Sequence, residues 1–327
     1  MRLFLYLLSV IYGLIITVKN FLFDHNILKS KTHNIPIICI GNLSMGGSGK
    51  TPHTKYIAKL LSKNYKVAIL SRGYGRKSSG FKYVKSNSDP SIVGDEPLEI
   101  KTNNPNCIVA VNNNRNKAVE KIQIDHPEID VILLDDGFQH RKIKAGLNII
   151  VTPFLKPFFK NKLIPLGTLR ESTKGSRRAD IIIVSKIPSF NAHTKKKTIE
   201  DLSLKRHQQA YFSKIKYQKY KSLQDDTELN NLEEYNITLV TGIANPNPLI
   251  QHLKEKKIKF NLIRFVDHHN YTEKDIEKIL LAHKKNKSLK KLILTTEKDA
   301  MKLKQFLTIF KQEKVYYSAI DITINNK

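Results

Sequence analysis

The sequence predicts an α/β protein: a mostly parallel sheet covered by helices, a second, smaller α/β domain, and an N-terminal helix associated with a membrane. Three observations carry that expectation. After Lys31, short β-branched runs alternate with amphipathic stretches, the rhythm of strands buried on both faces by crossover helices. The polar stretch Gln224–Glu234 interrupts the series, and a shorter one of the same kind follows. Leu3–Val18 (LFLYLLSVIYGLIITV) carries no charge over 16 residues.

Length and composition set the bounds. A chain of 327 residues has room for about two domains. Its 40% hydrophobic residues supply a core and exclude a disordered chain. Two cysteines, Cys39 and Cys107, exclude a disulfide framework and a zinc cluster. No repeat of fixed period suggests a solenoid. The net charge of +27 favours polyanionic partners: nucleotides, nucleic acid or an anionic membrane surface. The runs Lys195–Lys197 and Lys284–Lys291 lack interleaved aromatics, so nucleic acid is not an expected partner.

The N-terminal run lies between Arg2 and Lys19. As a helix it is ~24 Å long, short of a ~30 Å hydrocarbon core. No small-residue cleavage site follows in KNFLFDHN, and apolar residues resume at Phe21–Phe23. The expectation is a membrane-inserted or monotopic helix, with a core helix or a signal peptide as alternatives.

Ile35–Asn42 reads as a buried strand, followed by a glycine-rich loop and a helix over Thr51–Asn64. Strands are expected at Val67–Ser71, Cys107–Val111, Val131–Leu134, Leu147–Thr152 and Ile181–Ser185. Ala210–Tyr220 alternates as a half-exposed strand does. Beyond the polar linker come strand Ile237–Thr241, strand Phe260–Phe265, helix Thr272–Lys285 and strand Leu292–Thr295. Val315–Ile320 is expected to pair back with Ala210–Tyr217.

Ser44–Thr51 (Ser44, Met45, Gly46, Gly47, Ser48, Gly49, Lys50, Thr51) reads S-x-x-x-x-G-K-T. This is the phosphate-loop pattern with serine for its first glycine, placed between a strand and a helix as the motif requires. Glycines let backbone N–H groups approach phosphate oxygens. Lys50 can reach the β- and γ-phosphates, and the Thr51 hydroxyl can hold Mg²⁺. Pro52 fits the first helical turn. The sheet is accordingly of the P-loop NTPase type. Val131–Asp136 (VILLDD) runs four apolar residues into Asp135 and Asp136. A carboxylate at that strand end can hold Mg²⁺ or its waters beside the phosphate loop; either aspartate could serve.

Taken together, the chain resembles the tetraacyldisaccharide 4′-kinase family. The matching segments are GNLSMGGSGKTP (41–52), LSRGYGR (70–76), GDEP (94–97), LDDGFQH (134–140), PLGTLRE (165–171), TGIANP (241–246), VDHHNY (266–271) and TTEKDAMKL (295–303). The resemblance implies transfer of the γ-phosphoryl group of ATP to the 4′-hydroxyl of an acylated, phosphorylated glucosamine disaccharide lipid. It also implies a membrane-associated enzyme of two α/β domains joined by two β-strands. The division is then a helix over 1–30, a P-loop kinase domain over 31–208, a two-stranded linker of 209–222 and 314–325, and a smaller domain over 223–313. A serine or threonine at the first position of the loop is also a family trait.

Asp95 could cap a helix, with Glu96 and Pro97 in its first turn. The resemblance makes it the catalytic base, accepting the proton of the sugar hydroxyl. His268 and His269 are neighbours in VDHH, and adjacent strand residues point to opposite faces, so a shared metal ion is disfavoured. The resemblance turns His268 toward the cleft to orient Asp95. Arg170 and Glu171 end a Pro/Gly loop, Arg115 opens a helix, and Arg72 and Arg76 follow a strand; each of the four arginines is a candidate phosphate contact, and Glu171 is a candidate substrate contact beside Arg170. Gln139 could meet a water on the metal or the acceptor. Glu297, Lys298 and Asp299 read as a helix N-terminus with acidic capping. Cys39 reads as an inert buried thiol.

The expected function is therefore a lipid kinase on the cytoplasmic face of a bacterial inner membrane. ATP and Mg²⁺ are its expected requirements, and no obligate protein partner is evident. A membrane-attached P-loop ATPase driving assembly of a partner is the alternative from another class. A basic nucleic-acid-stimulated NTPase is a third.

Overall fold

The computed structural model describes residues 2–188, 191–225, 227–310 and 313–325. Helix α1 (Arg2–Asp24) precedes β1 (Ile37–Gly41), α2 (Lys50–Leu61), β2 (Val67–Ser71), β3 (Lys82–Tyr83), α3 (Pro90–Val93), α4 (Asp95–Asn103) and β4 (Ile108–Val111). Then come α5 (Arg115–Asp125), β5 (Val131–Asp135), β6 (Leu147–Pro153), β7 (Ile181–Ser185), α6 (Ala192–Leu202) and β8 (Gln209–Ser222). The remainder is β9 (Glu228–Leu229), β10 (Asn236–Thr241), α7 (Asn247–Glu255), β11 (Lys259–Arg264), α8 (Glu273–Lys285), β12 (Lys291–Thr296), α9 (Glu297–Leu303), α10 (Leu307–Phe310) and β13 (Val315–Asn325).

Every strand joins one sheet, in the order β11-β10-β12-β13-β8-β7-β6-β1-β5-β2-β4-β3, with β9 beside β8. Pairing is parallel except for β13 with β8, β3 with β4 and β8 with β9. Ile40, Ile69, Leu133, Ile150 and Val184 are sealed from water, which is why the strands of this half read as continuous apolar runs.

Strands β8 and β13 form the ribbon between the two halves. Phe212 still pairs with β7, and Ser318 with β12; from Tyr316↔Ser222 to Asn325↔Phe212 the two strands pair with each other, with an irregularity between Ser318 and Ile320. The second strand thus runs five residues past the apolar stretch that flags it. Its outward Asp321 and Asn325 hide the continuation, although alternation persists through Ile322. The polar stretch before the second half likewise contains a short strand, β9.

Strand direction reverses at β8/β13, so in a flat sheet the carboxyl ends of the two halves would point apart. Contacts show that the ribbon folds them together. His268, beyond β11, reaches Asp95 at the start of α4. A Cβ on Gly47 would lie 3.8 Å from that of Ala244, beyond β10. An apolar cluster crosses the junction, running from Ile69, Ile100 and Val109 to Met301, Phe310 and Ile276.

Helix α1 is 23 residues long, exceeding its apolar run, and 6% of its most apolar window is buried. Leu3, Phe4, Leu7, Ile11, Leu14, Ile15, Val18 and Phe21 face outward. That exposure sets aside the core-helix alternative.

Candidate functional site

The phosphate loop spans β1 to α2. Gly46 and Gly49 have φ of +96° and +91°, which a side chain would strain. Gly49 caps α2 without offering a side-chain acceptor, so the first amides of the helix stay available to an anion. Asn42 Nδ2 donates to the Ser44 carbonyl at 2.5 Å and to Ser48 Oγ at 3.0 Å. Ser185 Oγ donates to the Ser48 carbonyl at 2.7 Å, and Lys186 Nζ to the Gly47 carbonyl at 2.6 Å. Ser44 and Ser48 are buried, and Ser44 Oγ accepts from Asn161 Nδ2 at 3.4 Å. The serine in place of the first glycine thus ties the loop to the body, leaving backbone amides to meet phosphate.

The two aspartates differ in setting. Asp135 is buried, accepting from Thr54 Oγ1 at 2.9 Å and Ser71 Oγ at 3.2 Å. Burial, reinforced by the charges of Glu96 and Asp136, pushes its carboxyl up to about 6. Asp136, at φ +47°, turns toward Lys50 Nζ (3.6 Å) and Arg170 Nη1 (3.1 Å). Burial would raise its carboxyl, but these cations outweigh it and hold it below the usual range. Mutually repelling carboxylates beside a phosphate loop suit a hard cation with oxygen ligands. Among the described residues no three His, Cys, Asp or Glu side chains form a metal site by themselves. Thr51 and phosphate oxygens would complete the set.

Several other candidate contact residues brace loops around the site. Arg115, 3% exposed, donates through Nη2 to the carbonyls of Asp135 and Asp136, both at 3.0 Å, fixing the acidic turn. Glu171, 2% exposed, accepts from Arg178 at 2.8 Å and from Gln139 Nε2 at 2.9 Å. Arg76 closes its own loop on the Gly80 carbonyl at 2.8 Å. Arg72 stays exposed past β2, and Arg170 faces Asp136. Loop position is legible in sequence; side-chain direction is not.

Asp95 stands at the first residue of α4, 4% exposed. Its Oδ1 accepts from the Glu96 N–H at 3.0 Å. Its Oδ2 lies 3.1 Å from both His268 Nδ1 and Lys302 Nζ. Burial alone would push this carboxyl up; the His268 hydrogen bond, Lys298 and Lys302 outweigh it and hold Asp95 far below the usual range. Lys298 Nζ donates to His268 Nε2 at 2.9 Å and to Glu96 Oε1 at 3.1 Å. Burial works against its charge, but Glu96, Asp95 and Asp267 hold the amine protonated. An ammonium has no lone pair to offer. His268 Nε2 must therefore accept, which puts the imidazole proton on Nδ1, donated to Asp95.

Sequence reasoning misses Lys298 and Lys302 at the site, because the motif around them reads as a helix cap. Their spacing of four on α9 is the available signal, since it sets both amines on one helix face. A second buried cluster locks this geometry. Lys55 of α2 meets Glu99 of α4 at 2.7 Å and Glu297 of α9 at 2.8 Å.

His53, on α2, lies 2.6 Å from the Gly49 carbonyl and 2.8 Å from Ser213 Oγ of β8. Burial lowers its pKa to about 4. Its native pKa lies below the unfolded value near 6.5, so stability is full above pH 6.5 and is lost as pH falls through 4. Native stability should drop by about 2–3 kcal/mol over that window from this group. Urea melts of the wild type and His53→Gln at pH 7 and 4.5 check this; an equal acid loss in both would refute it.

A loop shaped to grip phosphates, with a carboxylate held ionised where the two halves meet, defines a P-loop phosphotransferase. The model of one family, Tetraacyldisaccharide-1-P 4′-kinase (LpxK), matches residues 1–327, and the chain belongs to that family. It is an enzyme, a kinase of lipid A biosynthesis with ATP as co-substrate. Among its relatives is the tetraacyldisaccharide 4′-kinase of Bacteroides thetaiotaomicron, 41% identical over 98% of this chain and 88% of the relative. The enzyme of that name from Flavobacterium johnsoniae is 38% identical over 100% and 94%. A crystal structure of LpxK from Aquifex aeolicus in complex with ATP superposes with a TM-score of 0.78 at 28% identity, covering 99% of this chain and 95% of that one.

Proposed function

We propose that this chain phosphorylates the 4′-hydroxyl of a tetraacylated glucosamine disaccharide 1-phosphate at the cytoplasmic face of the bacterial inner membrane, attached by α1. The observation that carries this reading is the meeting of Asp95, from the phosphate-loop half, with His268, Lys298 and Lys302 from the other. The phosphate-loop amides and Lys50 bind the nucleotide. Thr51, Asp135 and Asp136 would hold Mg²⁺, which supplies charge neutralisation on the phosphates. Arg170 and Arg72 offer cations at the cleft. The sugar oxygen forms a bond to the γ-phosphorus as the bond to the β-phosphate oxygen breaks, and ADP leaves. Asp95 takes the hydroxyl proton. Being strongly acidic, it suits a loose transition state in which that proton departs late. The outward apolar face of α1 and the basic surface fit an anionic bilayer.

The test is ATP-dependent phosphorylation of the purified disaccharide lipid by this chain in detergent, with the position of the new phosphate mapped. The 4′-monoester should form with stoichiometric ADP and stop when EDTA is added. ATP hydrolysis without lipid phosphorylation would favour an assembly ATPase instead.

A further inference from the structure

The inward face of α1 is stitched to the loop 161–171. Ser9 Oγ donates to the Leu163 carbonyl at 3.1 Å, Tyr12 Oη to the Arg170 carbonyl at 2.6 Å, and Asn20 Nδ2 to Glu171 Oε2 at 3.2 Å. That loop is paired in turn with the phosphate loop through backbone. The Met45 N–H donates to the Thr168 carbonyl at 2.7 Å, and the Arg170 N–H to the Leu43 carbonyl at 2.8 Å. Side chains make a second, parallel route. Gln139 Nε2 donates to Glu171 Oε1 at 2.9 Å and to the Asn42 carbonyl at 2.8 Å. Arg170 Nη1 donates to Gln139 Oε1 at 3.3 Å and to Asp136 at 3.1 Å, and Lys50 lies 3.6 Å beyond.

An unbroken chain of polar contacts therefore links a helix with an apolar outer face to the lysine of the phosphate loop. Its hub, Glu171, is 2% exposed, where a lost hydrogen bond is poorly replaced by water. A helix that served only as a tether would need none of these contacts, since its outward face alone supplies membrane affinity.

We propose that α1 is a positioning element for phosphoryl transfer, with Tyr12 and Asn20 holding loop 161–171 and thereby setting Arg170 and the phosphate loop. The proposal rests on the kinase reading. Positional errors in reacting groups are expensive in rate, so loosening this loop lowers turnover even where membrane binding is irrelevant.

The experiment compares the full-length wild type, Tyr12→Phe, Asn20→Ala and the double variant. Acceptor lipid is dispersed in detergent and ATP is saturating. The double variant should lose about 2- to 30-fold in kcat, while its partition into vesicles stays at the wild-type level because the outward face is untouched. Hydrogen exchange at the Met45 and Arg170 amides should quicken. Tyr12→Phe keeps the ring and the apolar character, so a fall in its kcat without a lowered melting temperature separates positioning from unfolding. A wild-type kcat in the double variant overturns the proposal, whatever the exchange shows. Absence of transfer by the wild-type chain overturns the kinase reading instead, and unchanged exchange would then still overturn the coupling.

Discussion

Lys50→Ala leaves a folded chain whose kcat has fallen by about 10³-fold or more, since a preorganised cation at the transferring phosphates is removed. The substitution is clean because Lys50 is not a structural partner that leaves a charge stranded: Asp136 keeps Arg170 at 3.1 Å. The melting temperature should therefore move little, and equilibrium ATP binding should weaken far less than turnover. Thr51→Ala belongs to the same class, with the added sign that activity demands more Mg²⁺. Steady-state kinetics with calorimetric ATP titration decide the matter. Near-wild-type turnover in Lys50→Ala would remove the phosphate-loop assignment.

Asp95→Asn should lower kcat by about 10²- to 10⁴-fold with little change in KM for ATP. The amide keeps the shape and still accepts from His268, but it cannot take a proton. Asp95→Ala is a harsher test. It strips the counter-charge from Lys302, 3.1 Å away, and from Lys298, 4.0 Å away, so stability falls as well, by about 3–5 kcal/mol. His268→Ala should cost less in kcat, because Glu96 N–H and Lys302 still orient the carboxylate. The two losses should combine less than additively if the pair acts as one unit. Full turnover in Asp95→Asn would place the proton acceptor elsewhere and leave the ATP site as described.

Much of this is legible in the sequence alone. The phosphate loop could be read because its glycines and Lys50 answer to backbone requirements local to eight residues. The alternating runs gave the parallel strands for the same reason. What escaped depends on contacts between distant segments. Asp135 and Asp136 are adjacent in sequence, yet one turns into the core against Thr54 and Ser71 and the other toward Lys50; the left-handed conformation of Asp136 is what parts them. Arg115 and Arg170 both follow strand ends, and only packing makes one a brace for the acidic turn and leaves the other at the cleft. Lys298 and Lys302 became visible as neighbours of Asp95 only once the ribbon had folded the halves together.

The place of β13 has a bearing on how the molecule is made. It follows every other described strand in the chain, yet it lies between β12 and β8 in the sheet. During synthesis both halves can assemble their parallel strands before β13 emerges. Until then most of β8, 14 residues long, is an open edge that invites pairing with a neighbouring nascent chain. The Asp95–His268 contact cannot settle into place without the ribbon. Closure of the junction between the halves therefore waits on the pairing of β13 with β8.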